Sequence, residues 1–120
     1  MPSSKEKNNA YCKAHYRKYA ERYRQKRRTN NAIYRKRNRR YVAEYLSAHP
    51  CVDCGETDII VLEFDHVRDT KYKEVSRLVT DARPIAVIAR EIEKCEVRCC
   101  NCHRRVTHYR KYPKPLGERQ

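Results

Sequence analysis

Two pairs of cysteines, and an acid-imidazole dipeptide lying between them, are the residues of this chain best suited to chemistry. The pairs are Cys51-Val52-Asp53-Cys54 and Cys99-Cys100-Asn101-Cys102, and the second runs straight into His103. Each Cys-x-x-Cys presents two sulfurs on a tight turn, so Cys51, Cys54, Cys99 and Cys102 can supply four thiolates to one tetrahedral zinc. Between them stands Leu62-Glu63-Phe64-Asp65-His66, the end of an apolar run that stops at a carboxylate and an imidazole. A rigid extended segment through Ile59, Ile60, Val61 and Leu62 could deliver Asp65 as a metal ligand beside His66 as a general base. An imidazole with its ordinary pKa of about 6.5 is largely neutral at physiological pH and accepts a proton where lysine could not. A hard cation such as Mg²⁺ or Mn²⁺ suits carboxylate, imidazole, water and phosphate oxygens, whereas thiolates suit zinc. Two metals with separate sites and separate jobs are therefore expected. Read alone, the dipeptide is an ordinary solvated strand end and the four cysteines a structural zinc module.

The groups need scaffolding, and the chain supplies it in a readable order. The gap between the pairs, residues 55–98, is 44 residues long, too long for a simple zinc ribbon, so something is inserted between the knuckles. Gly55 supplies the tight turn after the first pair. Residues 59–64 read as a strand, 67–73 as a polar loop and 74–79 as a short helix. Pro84 at a first helical position starts another helix, with Ile85, Ile88, Ala89 and Ile92 on one face. Glu96-Val97-Arg98 is a short second strand, and residues 103–112 form a basic helix ended by Pro113-Lys114-Pro115. Upstream, residues 5–48 hold neither proline nor glycine, and strong helix formers dominate. This predicts a helical arm, with a break near Thr29-Asn30-Asn31 dividing it in two. Tyr16, Tyr19 and Tyr23 recur at helical spacing, as do Tyr34, Tyr41 and Tyr45 with Leu46. These rings either pack on the zinc domain or a second copy, or stack on bases. His49-Pro50 ends the arm.

Charge separates the same two parts. Residues 1–50 carry fifteen Lys and Arg against three Asp and Glu, a net of +12, while residues 51–120 carry fourteen against twelve, a net of +2. So concentrated an excess reads as a phosphate-binding surface. A membrane-surface helix would need a wide apolar face, which the tyrosines and alanines of the arm do not make. There is no apolar run of transmembrane length and no secretory signal at Met1-Pro2-Ser3-Ser4-Lys5, which places the protein in a reducing cytosol. There, seven cysteines favour metal ligation over disulfides. A unit of about 70 residues also makes a thin core that a zinc staple would strengthen.

In order, Cys51-x-x-Cys54, then Leu62-Glu63-Phe64-Asp65-His66-Val67, then Cys99-x-x-Cys102-His103-Arg104-Arg105 resemble the HNH endonuclease family, in particular its small zinc-stapled bacteriophage versions. The similarity covers residues 49–108. It implies an α+β fold of the ββα-metal, or His-Me finger, type, in which a β-hairpin and a helix grip one divalent cation while zinc pins hairpin to helix. By the resemblance His66 is the general base that activates water, Asp65 helps hold the catalytic cation, and His103 is a second ligand to it. The middle asparagine of the family motif has no counterpart. Lys94 and Cys95 stand where many members carry it, and Asn101 lies inside the knuckle.

The expected organisation is a basic, tyrosine-striped DNA-binding arm over residues 1–48, a nuclease domain with structural zinc over 49–112, and a flexible tail over 113–120. The expected activity is Mg²⁺- or Mn²⁺-dependent hydrolysis of phosphodiester bonds in DNA, as a nick or a double-strand cut. Arg24, Arg27, Arg28, Arg35, Arg39, Arg68, Arg104 and Arg105 are the candidate nucleic-acid contacts. The alternatives are a non-catalytic zinc-stapled nucleic-acid-binding protein and a junction-resolving nuclease working as a homodimer through the arm. A phage packaging protein is a further candidate partner, in which case the compartment is the host cytoplasm. Cys12, Cys95, Cys100, His15, His49 and His108 belong to no constellation and read as surface or packing residues.

Overall fold

The computed structural model describes residues 3–113, so the expected tail lies, from residue 114 on, outside the described residues. The chain divides into two compact units between Ile33 and Tyr34. One helix, α1 (Ser4–Ala48), supplies the whole described part of the first unit and the opening of the second. It starts on a capping box written locally in Ser3-Ser4-Lys5-Glu6. The Glu6 N–H donates to Ser3 Oγ at 3.1 Å while the Ser3 N–H donates to Glu6 Oε2. The expected break at Thr29-Asn30-Asn31 does not occur. The Thr29 hydroxyl bonds back to the Gln25 carbonyl at 3.0 Å, so it rides along the helix rather than competing to end it.

In the first unit α1 is exposed almost throughout, with Tyr11, Tyr16 and Tyr23 in the open. Tyr16 and Tyr23 stack at 6.2 Å, and His15 lies among Tyr11, Tyr19 and Tyr23.

The second unit is α+β. Strand β1 (Leu62–His66) pairs antiparallel with β2 (Cys95–Cys99), Leu62 opposite Cys99 and His66 opposite Cys95. Helices α2 (Val75–Thr80) and α3 (Ile85–Ile92) fill the interval, and α4 (Cys100–Lys111) follows β2 without a gap. Strand β1 begins three residues later than its apolar run suggests. The Asp58 carboxylate captures the Ile60 N–H at 3.0 Å and the Asp58 carbonyl accepts from Val61 N–H, an Asx turn that leaves Ile60 in solvent. Pro84 is the residue before the first turn of α3 rather than within it.

The core is small and built in two clusters. Leu46, Leu62 and Val97 pack around Cys51, Cys99 and Cys102, and Val75, Leu78, Val79, Ile88, Ile92 and Cys95 form the other. Val42, Tyr45 and Phe64 touch both. The later tyrosine stripe is split: Tyr41 and Tyr45 lie against the core, Tyr45 meeting Phe64 at 5.9 Å, while Tyr34 is exposed. Residues 34–48 belong to the folded unit, and buried Asn38 ties them in by donating to the Arg83 carbonyl at 3.0 Å.

Candidate functional site

Cys51, Cys54, Cys99 and Cys102 converge, their sulfurs all within 4.8 Å of one another, and among the described residues they are the one group of three or more such ligands that closes on a point. Local structure explains the approach. Gly55, at φ +76°, lets its N–H return to the Cys51 carbonyl at 2.9 Å, and Val52 N–H bonds the Val97 carbonyl of β2. On the other side Cys99 caps α4, its sulfur accepting from Cys102 N–H at 3.4 Å. The Cys54 and Cys99 sulfurs are 3.6 Å apart, close to the ~3.8 Å edge of a tetrahedron with zinc–sulfur bonds of about 2.3 Å. These four residues fit a zinc ion. Burial resists charge on Cys51, yet backbone hydrogen bonds from Cys54, Cys99 and Asp53 bring its thiol down to about 6. The hydrogen bond with Cys99, then burial, pushes Cys102 up to about 12. Cys95 is no ligand: it is buried, donates to the Glu91 carbonyl at 3.4 Å, and burial and Glu91 push its thiol up to about 11. Cys12 and Cys100 are exposed.

Because β1 starts at Leu62, Asp65 and His66 both lie inside the strand and point to opposite faces. Asp65 falls on the α4 side. His103 Nε2 is 3.4 Å from Asp65 Oδ1, and His103 Nδ1 is 2.7 Å from Glu63 Oε2. A carboxylate only accepts, so Glu63 holds a proton on Nδ1, and Nε2 meets the second carboxylate, Asp65, only through a further proton or a shared cation. Two donors about 2.1 Å from one Mg²⁺ at a right angle would lie about 3.0 Å apart, so Asp65 and His103 have nearly the bite of a hard cation. A hollow of about 470 Å³ lined by Glu63, His103, Arg104 and His108 opens beside them.

Asp65 is not idle, however. It is buried, and Arg98 Nη1 reaches its Oδ2 at 2.6 Å while Arg110 grips both oxygens at 3.0 and 2.8 Å. Burial opposes its charge, but Arg110, then His103 and Arg98, hold the carboxyl below the usual range. A cation at Asp65 would have to displace Arg110 from Oδ1.

His66 stands apart from that pair. Its Nε2 is 3.1 Å from Glu91 Oε1 on α3. Glu91 is itself buried and also accepts from the Tyr72 N–H at 2.9 Å and from Lys94 Nζ at 3.0 Å. Asp65, His66 and His103 therefore do not converge; only Asp65 and His103 meet, at 3.4 Å.

The candidate nucleic-acid contacts scatter. Arg24 and Arg28 share Glu21, at 3.3 and 3.4 Å, with most of each side chain in solvent. Arg27, Arg39, Arg104 and Arg105 are exposed. Arg35 is half-buried, spent on the Thr80 carbonyl at 2.8 Å, and Arg68 reaches the Cys95 carbonyl at 3.4 Å.

Sequence reasoning passed over Glu63, Glu91, Arg98 and Arg110. Glu63 could have been found, since it is two residues before Asp65 and so on its side of a strand. The others lie 25 to 45 residues from their partners and had no signal. No family model matches this chain, and neither does any curated protein or solved structure. Among the described residues no helix is long and apolar enough to cross a membrane.

Proposed function

We propose that the protein is a metal-dependent endonuclease of the HNH type that hydrolyses phosphodiester bonds in DNA. The observation that carries the reading is the line Glu63, His103, Asp65, a carboxylate-oriented imidazole facing a second carboxylate at 3.4 Å. It lies where an antiparallel strand pair meets a helix, beside four convergent cysteines, which supports the reading of a ββα-metal domain.

In this reading Cys51, Cys54, Cys99 and Cys102 hold a structural zinc, and Asp65 and His103 hold Mg²⁺ or Mn²⁺. When bound, that cation offsets charge developing on the phosphorane-like transition state. His66 accepts the proton of the attacking water. Arg104 and Arg105, exposed on α4, meet the backbone near the scissile bond. Ten Lys and Arg against two Glu in residues 3–33, a net of +8, draw the duplex in without reading its sequence. Self-association through the Tyr16 and Tyr23 face, a phage packaging protein as partner and a host-cytoplasmic setting belong to the same proposal.

The saturation of Asp65 by Arg98 and Arg110 favours a second reading, a non-catalytic zinc-stapled nucleic-acid-binding protein. Incubation with supercoiled plasmid and with branched DNA, in Mg²⁺, Mn²⁺ or a chelator, separates the two. Nicked plasmid that vanishes with chelation and in His66→Ala, with gel-shift binding retained, is the expected outcome. Binding without cutting in every condition selects the second reading, and preferential cutting of the branched substrate marks a junction-resolving enzyme.

A further inference from the structure

Glu91 is the buried charge that this chemistry leaves unused. It lies on α3 with Ile88 and Ile92, on the face that packs into the core, and its residue is 2% exposed. A carboxylate on the apolar face of a helix costs several kcal/mol in lost hydration unless its oxygens are met. Here they are met by three donors of different kinds. Oε1 takes the Tyr72 N–H at 2.9 Å and His66 Nε2 at 3.1 Å, while Oε2 takes Lys94 Nζ at 3.0 Å. Lys94 is fixed in turn by donating to the Thr70 carbonyl at 2.8 Å. Burial works against the Glu91 charge, but the Tyr72 amide, Lys94 and His66 hold the carboxyl below its ordinary range. Glu91 is thus an acceptor only, and the atom of His66 facing it must be a donor.

We propose that Glu91 is the positioning residue of His66: it holds the proton on Nε2, leaving Nδ1 as the ring's single lone pair and the site of proton uptake. This rests on the reading of His66 as the general base. The second histidine is held by its other ring nitrogen, since Glu63 takes Nδ1 of His103, and its Nε2 faces Asp65. Carboxylates at opposite ring nitrogens suit opposite tasks, a base at one ring and a cation ligand at the other. The carboxylate also stabilises the imidazolium formed once Nδ1 has taken the proton, so its charge as well as its shape serves the step. Lys94, which stands where the family motif carries its asparagine, acts here by holding Glu91 in place.

Two measurements on the full chain test this independently. Long-range ¹H–¹⁵N spectra, with the His66 signals identified by their loss in His66→Ala, report the tautomer directly. A neutral ring protonated on Nε2 is expected in the wild type, shifting toward a mixture in Glu91→Gln. A ring protonated on Nδ1 overturns the proposal whether or not the protein cuts DNA, and needs no variant at position 91 to fold. The second measurement is plasmid nicking by Glu91→Gln. The expected result is a kcat lower by about 10- to 100-fold with KM for DNA unchanged and partial recovery in Glu91→Asp. An unchanged kcat in a folded Glu91→Gln makes Glu91 a structural residue and overturns the assignment. Failure of the wild type to cut any DNA would remove the nuclease reading while leaving the tautomer result to decide whether Glu91 orients His66.

Discussion

Arg110, on the last turn of α4, closes both oxygens of Asp65, Nη1 to Oδ1 at 3.0 Å and Nη2 to Oδ2 at 2.8 Å. The contact holds the far end of α4 onto β1 while Cys99 and Cys102 hold its start near the cysteine cluster. It also stands between Asp65 and any cation, because a planar guanidinium in fork geometry fills the lone pairs that a metal would use.

Arg110→Ala is accordingly expected to have two opposed effects. Stability falls by about 1–2 kcal/mol, since Arg98 still meets the buried Asp65 carboxylate and Arg110 itself is half exposed. Mn²⁺ affinity, followed by titration calorimetry, rises several-fold because no arginine has to leave Oδ1. Unchanged Mn²⁺ binding would show that Asp65 is an ion-pair hub and nothing more.

The cysteine cluster is expected to hold the second unit together. Cys99→Ser, or prolonged chelation, should abolish the cooperative circular dichroism melt of β1, β2 and α4, because one sulfur serves as ligand, helix cap and core atom at once. Cys100→Ser is the control, since Cys100 is exposed beside the cluster. It should keep one zinc per chain by atomic absorption and the wild-type melt.

Acid stability is expected to depend on Glu91. Its carboxyl is held below the ordinary range by Tyr72, Lys94 and His66, so the native state binds fewer protons there than the unfolded chain. The stabilisation is complete above the ordinary glutamate value of about 4.3 and is lost as pH falls through the lowered one. Urea midpoints measured from pH 6 to pH 3 should fall less steeply in Glu91→Gln than in the wild type. Parallel curves would mean that Glu91 titrates alike in both states.

The exposed arginines of α1 are expected to act through phosphate alone. Replacing Arg24, Arg27 and Arg28 with glutamine should lower duplex affinity equally for unrelated sequences and reduce the slope of log K against log salt by about 2–3. A sequence-dependent loss would point to base contacts instead.

Much of this protein is legible in its residues because the signals are local. The two Cys-x-x-Cys turns with Gly55, the proline-free basic helix and the amphipathic Ile85, Ile88, Ile92 stripe each need only a few neighbouring residues to form. What tertiary structure alone decided is where Asp65 and His66 face. A strand alternates sides at every residue, so the role of that dipeptide turns on partners distant in sequence: Arg110 and His103 beneath Asp65, Glu91 against His66. Asp65 and His66, adjacent in sequence, are divided between the two faces of β1. The physical reason is the pleat, which separates neighbours in sequence and leaves packing to choose what each one meets.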